Sequence, residues 1–331
     1  MTILVTGVAG FIGMHAAEAL LARGERIIGV DTLNNYYDVR LKRARLARLE
    51  GQAGFSFRPL DIGDRAAMLA LADEEPGITS ILHLAAQAGV RHSLIDPYAY
   101  VDANVMGHLV VLELARRIGR LQHLVYASSS SVYGGNTTLP FAEADRVDTP
   151  VSLYAATKRA GELMSAAYAH LFGLPQTGLR FFTVYGPWGR PDMAPWLFAE
   201  AILAGRPITL YEGGRLKRDF TYIADIVAGV LGVLDRPAPA AEPRILNIGN
   251  HRSELVSRFV EVLEAALGKR AVILDAARPA TEVRETFADV DAISALTGYA
   301  PSTPIEVGIP QFATWFSKWQ KKTVDGSGAE T

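Results

Sequence analysis

The stretch ILVTGVAGFIGMHAAEALLARGERIIGVD, residues 3–31, decides how the rest of the chain is read. An apolar run, Ile3–Thr6, has the length and composition of a buried strand. Gly7, Gly10 and Gly13 follow at Gly-x-x-Gly-x-x-Gly spacing and lead into a helical pattern over Met14–Ala22. Gly24 stands just past that helix as a C-terminal stop, and Arg26–Val30 is a second apolar run. Strand, glycine turn, helix and strand make a βαβ unit. Glycines at the helix mouth let backbone approach a pyrophosphate, which then sits at the positive helix N-terminus. Phe11 and Ile12, between the last two glycines, belong to the same contact surface. Asp31 closes the second strand 24 residues after Gly7. There a carboxylate accepts a hydrogen bond from a ribose 2′-hydroxyl and repels a 2′-phosphate, which favours NAD over NADP. The glycine spacing alone also fits a plain βα turn; Asp31 at the strand end is what favours a dinucleotide.

Working outward, further strands are expected at Phe55–Pro59, Ile81–Leu84, His123–Ala127 and Thr177–Phe181, with helical spacing between them, as at Gly107–Ile118. Alternating strands and helices, with strands apolar throughout, imply an α/β fold: a doubly wound parallel sheet of Rossmann type covered on both faces. Asp61 and Ile62, at the end of the third strand, are placed to meet an adenine, although a turn aspartate has the same signature. Ala85 and Ala86, in LAAQAG (84–89), follow the fourth strand and are small enough for a cofactor to lie close to backbone.

After residue 180 the pattern changes. VYGPWGRPDMAPW (184–196) is rich in proline and glycine and reads mostly as loop. Helical patterns return at Leu197–Ala204, Ile223–Leu234, Glu254–Leu267 and Ile305–Trp319. LNIGN (246–250) reads as a strand returning to the main sheet. The expected organisation is a dinucleotide-binding domain over 1–180, rejoined by 221–250, with a smaller α/β lobe from 181–220 and 251–320. The small polar residues at the end of 321–331 suggest an unstructured tail.

Composition narrows the function. The chain has 331 residues, 49% of them hydrophobic, a net charge near −2 and no cysteine. Disulfides and cysteine metal sites are excluded, the seven histidines show no metal-ligand spacing, and no basic run suggests nucleic acid or an anionic membrane. No apolar stretch approaches the roughly 20 residues a membrane helix needs. The first residues read as a strand and not as a signal peptide, so a cytoplasmic location is expected.

A second constellation lies past the middle of the chain. Tyr154 and Lys158 in LYAATKRAGE are four residues apart, on one face of a helix. A lysine ammonium near a phenol favours the phenolate and makes tyrosine a usable base. A surface helix would carry the same spacing by chance; the glycine motif upstream argues for chemistry. Upstream, Ser128–Ser131 puts four hydroxyls in a row inside VYASSSSVYGG (125–135).

Taken together, the glycine motif, the serine cluster and Tyr154-x-x-x-Lys158 resemble the extended short-chain dehydrogenase/reductases, specifically the NAD-dependent nucleotide-sugar epimerases, and among these the UDP-glucuronate 4-epimerases. The most specific strings are DTLNNYYDVRLK, AAQAGVRHSL, YASSSSVYG, PVSLYAATK, GLRFFTVYGPWGRPDM and KRDFTYIADI. The resemblance runs from residue 1 to about 318. It implies a tightly held NAD, regenerated each turnover, and a UDP-sugar oxidised transiently at carbon 4. Tyr154 would be the base, Lys158 its partner, and both would also touch NAD. Ser129, four residues before Tyr133, would bridge the sugar hydroxyl and Tyr154. Ser130 and Ser131 fall where related dehydratases and decarboxylases carry acids; as hydroxyls they can only hydrogen-bond. Arg218 matches a residue contacting UDP. Arg278 is a second phosphate candidate, although ARPATEVRETFAD (277–289) departs from the family's usual Pro-Gly-Asp pattern. For both arginines a solvated surface charge is the plain alternative.

Oxidising glucuronate at carbon 4 makes a β-keto acid, which loses carbon dioxide readily unless its carboxylate is held. Arg190 can hold it through paired hydrogen bonds, with Thr183 beside it where neutral-sugar epimerases more often carry Asn. The resemblance also implies a homodimer through the helices around 104–118 and 154–171. Two alternatives remain at this stage: a 4-epimerase of neutral UDP-hexoses, and a non-catalytic NAD-binding sensor on the same fold.

Overall fold

Each apolar run of the first half becomes a strand of one parallel sheet. The computed structural model describes residues 1–279 and 283–324. The first six strands are β1 (Thr2–Thr6), β2 (Arg26–Val30), β3 (Phe55–Arg58), β4 (Ile78–His83), β5 (His123–Ser129) and β6 (Gln176–Phe181). The helices between them are α1 (Phe11–Ala22), α2 (Val39–Leu46), α3 (Arg65–Glu74), α4 (Pro97–Val101), α5 (Gly107–Ile118) and α6 (Leu153–Phe172). The later elements are strands β7 (Thr183–Tyr185), β8 (Pro207–Tyr211), β9 (Lys217–Arg218), β10 (Phe220–Tyr222), β11 (Arg244–Ile248), β12 (Glu254–Leu255) and β13 (Val272–Ala276), and helices α7 (Ala194–Ala204), α8 (Ile223–Leu234), α9 (Val256–Leu267), α10 (Asp291–Thr297) and α11 (Ile305–Val324).

The main sheet has the order β11-β6-β5-β4-β1-β2-β3, and every pairing in it is parallel. This is the doubly wound order expected from the sequence. Chain direction outward from β1 reverses between β1 and β4, and ligands of such sheets bind at that crevice. The return of LNIGN is borne out, with Leu246 opposite Leu179 and Ile248 opposite Phe181. One apolar cluster joins α1, the sheet and the later helices, including Val5, Met14, Leu179, Ile226, Phe259 and Phe312. A second lies on the other face, with Leu4, Ile28, Val111, Leu114 and Leu124. Burial on both faces explains why the strands show no polar alternation.

Element boundaries differ from the sequence reading in instructive ways. Helix α1 begins at Phe11, three residues early, because Gly10 is its N-cap and the glycine motif includes the first turn. Glu254 and Leu255 are not helical; they form β12, antiparallel to β9, before α9 begins. Part of 184–196 is β7, paired with β10. Helix α11 continues to Val324, so 321–324 are helical; the rest of the expected tail, 325–331, lies outside the described residues.

Asp219 fastens the later elements together. It is fully buried, and its carboxylate accepts from Asn250 N (2.6 Å), Thr221 Oγ1 (2.7 Å) and Ala288 N (3.0 Å). Burial pushes its pKa up to about 6 against the pull of these donors, so at neutral pH it is the carboxylate that accepts all of them. Asparagine would turn an NH₂ toward one backbone N–H, leaving a buried donor unsatisfied. Asp219→Asn is expected to cost about 1–3 kcal/mol of stability, read by urea unfolding at neutral pH. An unchanged midpoint would show the fastening is dispensable.

Candidate active site

A cavity of about 390 Å³ runs along the sheet edge where β1 and β4 diverge. Its floor at one end is the glycine turn. Gly7 has φ +71°, and a Cβ there would stand 2.7 Å from Ala85 N. A Cβ on Gly13 would stand 2.1 Å from Gly7 O, so α1 packs this close only with glycine. Gly7, Gly10, Phe11, Ile12 and Gly13 all line the cavity. Asp31 lines it at the tip of β2, its oxygens accepting from Ala9 N (3.1 Å) and Leu33 N (2.9 Å). These bonds aim a carboxylate with spare lone pairs into the space beside the glycines. Asp61, Ile62, Ala85 and Ala86 complete this end. Ala85 N donates to Thr6 Oγ1 (3.2 Å), which in turn hydrogen-bonds His83 Nδ1 (2.7 Å). His83 is thus packing, held neutral by burial and by nearby His108 and Lys158. A glycine cradle that any Cβ would fill, a helix N-terminus and an acceptor at the second strand tip fit NAD.

The reacting end is built on β5 and α6. Ser152 caps α6, accepting from Ala155 N at 3.1 Å. Tyr154 is therefore in the first helical turn, where the helix field favours negative charge. Lys158, one turn on, is buried and donates to Ala127 O (2.9 Å). Burial and the Arg190 charge lower the Lys158 pKa to about 8, against the pull of Glu162. Burial raises the Tyr154 phenol above its ordinary value, against the pull of the Arg190 charge and the Ser129 hydroxyl. In the chain alone Tyr154 is a neutral phenol at neutral pH.

The four serines divide their work. Ser128 Oγ donates to buried Glu162 (2.6 Å), whose carboxylate holds Arg180 through two 2.9 Å bonds. Arg180 reaches Tyr133 OH (3.0 Å), and Tyr133 donates to Asn247 on β11 (2.6 Å). This buried chain ties α6 to β5, β6 and β11 beneath the reacting groups. Ser129, extended at the strand end, hydrogen-bonds Ser131 Oγ (3.1 Å) and accepts from Ser131 N (3.2 Å). Ser129, Ser130 and Ser131 line the cavity with Tyr154, Lys158, Thr183 and Arg190.

The loop carrying Arg190 is fixed by a residue the sequence reading missed. Arg45, on α2, has no exposed surface. It donates to Ala9 O (3.2 Å), Tyr37 OH (2.6 Å), Trp188 O (2.7 Å) and Gly189 O (3.0 Å). One guanidinium thereby joins the glycine turn to the two residues before Arg190. Trp188 and Trp196 pack against Trp315 of α11 and shape no part of the cavity. Asn104 supports the cavity wall, accepting from Gln87 N and donating to Gln87 O, both at 2.9 Å. Asn34, Tyr36, Tyr37, Gln87 and Met193 also line the cavity unannounced by the sequence.

Arg218 and Arg278 stand apart from this cavity. Arg218, on β9, donates to Lys217 O (2.8 Å); Arg278 faces Glu212 at 3.5 Å, as does Arg284 at 3.7 Å. Among the described residues no acidic and histidine cluster could hold a metal, and no helix is long and apolar enough to cross a membrane.

Comparison with known proteins agrees with this geometry. Residues 3–249 match the NAD dependent epimerase/dehydratase family. The chain is 46% identical over 335 residues to a probable UDP-glucuronate 4-epimerase of Rhizobium meliloti, covering 96% of this chain and 97% of that one. It is 45% identical over 330 residues to UDP-glucuronate 4-epimerase 3 of Arabidopsis thaliana, covering 95% of this chain and 76% of that protein. The crystal structure of UDP-glucuronic acid 4-epimerase from Bacillus cereus, in complex with UDP-glucuronic acid and NAD, superposes with a TM-score of 0.89 at 33% identity, covering 96% of this chain and all of that one. With a glycine cradle at the β1–β4 crevice and a tyrosine–lysine pair at its far end, the chain belongs to the NAD dependent epimerase/dehydratase family, within the extended short-chain dehydrogenase/reductases.

Proposed function

We infer that the chain is an NAD-dependent 4-epimerase interconverting UDP-glucuronate and UDP-galacturonate through a 4-keto sugar. The observation that carries this reading is the convergence of Tyr154, Ser129, Thr183 and Arg190 on one cavity with the NAD cradle. Tyr154 accepts the proton of the sugar's 4-hydroxyl as carbon 4 becomes a ketone, and gives it back on reduction. When bound beside the glycine cradle, NAD would supply the hydride acceptor and donor for carbon 4 and, in its oxidised form, a positive charge in the cavity. That charge adds to Arg190 and Ser129 in offsetting the burial that keeps the phenol neutral. Ser129 bridges hydroxyl and phenol. Ser130 and Ser131, bearing no carboxyl, offer only hydrogen bonds. Thr183 and Arg190 hold the sugar's carboxylate. Gly7, Gly10, Phe11, Ile12 and Gly13 serve the pyrophosphate end, Asp31 a ribose, Asp61 and Ile62 the adenine, and Ala85 and Ala86 the cofactor's backbone contact. Arg218 and Arg278 lie outside the cavity lining, on the lobe made by 181–220 and 251–320; Arg218 is assigned to the UDP part and Arg278 to a phosphate of a substrate whose nucleotide extends past that lining.

The chain is read as a cytoplasmic homodimer. Leu94 and Ile95, just before α4, and Tyr98, within it, are 74%, 77% and 79% exposed, and Leu163 and Leu171 on α6 are 56% and 66% exposed. This apolar surface adjoins the two helices expected to pair between copies. Sedimentation at micromolar concentration is expected to give twice the chain mass; a single-chain mass would contradict the pairing.

The reading is tested by proton NMR of the protein with UDP-glucuronate and catalytic NAD. UDP-galacturonate without pentose products is expected. Pentose alone would remove the role given to the serines and Arg190. Turnover of UDP-glucose in place of UDP-glucuronate would move the assignment to neutral sugars, and inertness to both would leave an NAD-binding sensor.

A further inference from the structure

Arg190 already has a carboxylate partner within the chain. Asp192, two residues on, takes its Nε at 3.0 Å and its Nη2 in a second, shorter bond, a side-on pair. Tyr36 OH donates to the same Asp192 oxygen at 3.1 Å. Tyr36 lies close to Gly89, whose φ is +105° and where a Cβ would stand 2.6 Å from the Tyr36 oxygen. Arg190 and Asp192 are each about three-quarters buried at the side chain. Burial pushes the Asp192 carboxyl up, but the Arg190 charge and the bonds from Arg190 and Tyr36 outweigh it and hold it below the usual range. Asp192 is therefore a permanent anion on one edge of the guanidinium.

The chemistry of the reaction gives this pair a purpose. A free guanidinium grips a carboxylate with two parallel bonds, and in a partly buried site such a grip is strong. A 4-keto sugar must turn over between the two half-reactions, and a substrate carboxylate locked by both bonds would hold it in one pose. Binding that is tight in each pose and lost as the ring turns lowers KM and kcat together, because only the ground states gain from it.

Resting on the function proposed above, we propose that Asp192 is a specificity-setting positioning residue. It occupies the Nε–Nη2 edge of Arg190 and leaves only the remaining edge for the sugar's carboxylate. The substrate acid is steered by a cation whose charge is already balanced, firmly enough to be oriented and weakly enough to be released as the ring turns. Tyr36 keeps Asp192 in that place.

Asp192→Asn keeps the shape and one acceptor while removing the competing charge. KM for UDP-glucuronate is expected to fall and kcat to fall with it, each by about ten-fold, while reduced cofactor accumulates on the enzyme during turnover. Direct titration should show tighter UDP-glucuronate and unchanged UDP-glucose. Asp192→Glu, which keeps the charge, should return KM and kcat toward the parent values. Tyr36→Phe, which frees Asp192 without removing it, should shift both in the Asn direction by less. A higher KM with unchanged kcat in Asp192→Asn, or equal losses for both sugars, would overturn the proposal and leave Asp192 a prop for the loop. If the parent protein does not convert UDP-glucuronate at all, the functional reading fails first; if it does and the Asn variant matches it, only this inference fails.

Discussion

Tyr154→Phe is expected to lower epimerisation by about 10²–10⁴-fold, the range a positioned general base contributes, while leaving fold and NAD binding intact. The substitution removes one oxygen and keeps the ring, which packs edge-on against Tyr100 with centroids 6.0 Å apart. Neither of its described neighbours in the cavity can take its place. Lys158 is tied to Ala127 O, and Ser129 is a hydroxyl without a base behind it. NMR turnover, with bound NAD measured alongside, checks the result. Turnover within ten-fold of the parent would show that proton transfer is done elsewhere.

Arg190→Ala is expected to change the product as well as the rate. Charge-assisted hydrogen bonds of this kind contribute about 1.5–3 kcal/mol, so KM for UDP-glucuronate should rise by about ten- to a hundred-fold. The β-keto acid, its carboxylate no longer held out of alignment with the ketone, should lose carbon dioxide and yield a UDP-pentose. Two side effects are also expected. Asp192 is left without its cation, and the Tyr154 phenol, which Arg190 pulls down, becomes a weaker acid. Activity on UDP-glucose separates them, because a loss confined to the acidic sugar reports the clamp. Unchanged KM with no pentose would remove Arg190 from carboxylate binding.

The cofactor end was legible in the sequence because its signal is local. Three glycines and Asp31 lie within one βαβ unit, and at each glycine a Cβ would stand under 3 Å from backbone. The parallel sheet was legible for a similar reason: strands buried on both faces are apolar throughout. Tyr154 and Lys158 are one helical turn apart, so their spacing also survives without tertiary information. What stayed hidden depends on distant segments. Arg45 reads as one more arginine in VRLKRARL, and only folding brings it to Ala9, Trp188 and Gly189. Asp192 and Tyr36 are 156 residues apart. Ser128 looked equivalent to its neighbours until Glu162 was placed beneath it. The short strands β7, β9, β10 and β12 carry no period to read, since each spans two or three residues. Matching a motif singled out Arg218 and Arg278 but could not say where their long side chains end, and neither lines the cavity.

In the proposed reaction carbon 4 is oxidised and reduced within one site, the hydrogen never reaching solvent. Epimerisation of UDP-glucuronate in D₂O, followed by proton NMR of the UDP-galacturonate formed, tests it directly. Oxidation with return of the same hydride predicts product that retains its full carbon-4 proton signal. Deuterium at carbon 4 would mean that the hydrogen leaves as an exchangeable proton, and would contradict transient oxidation with Tyr154 as its base.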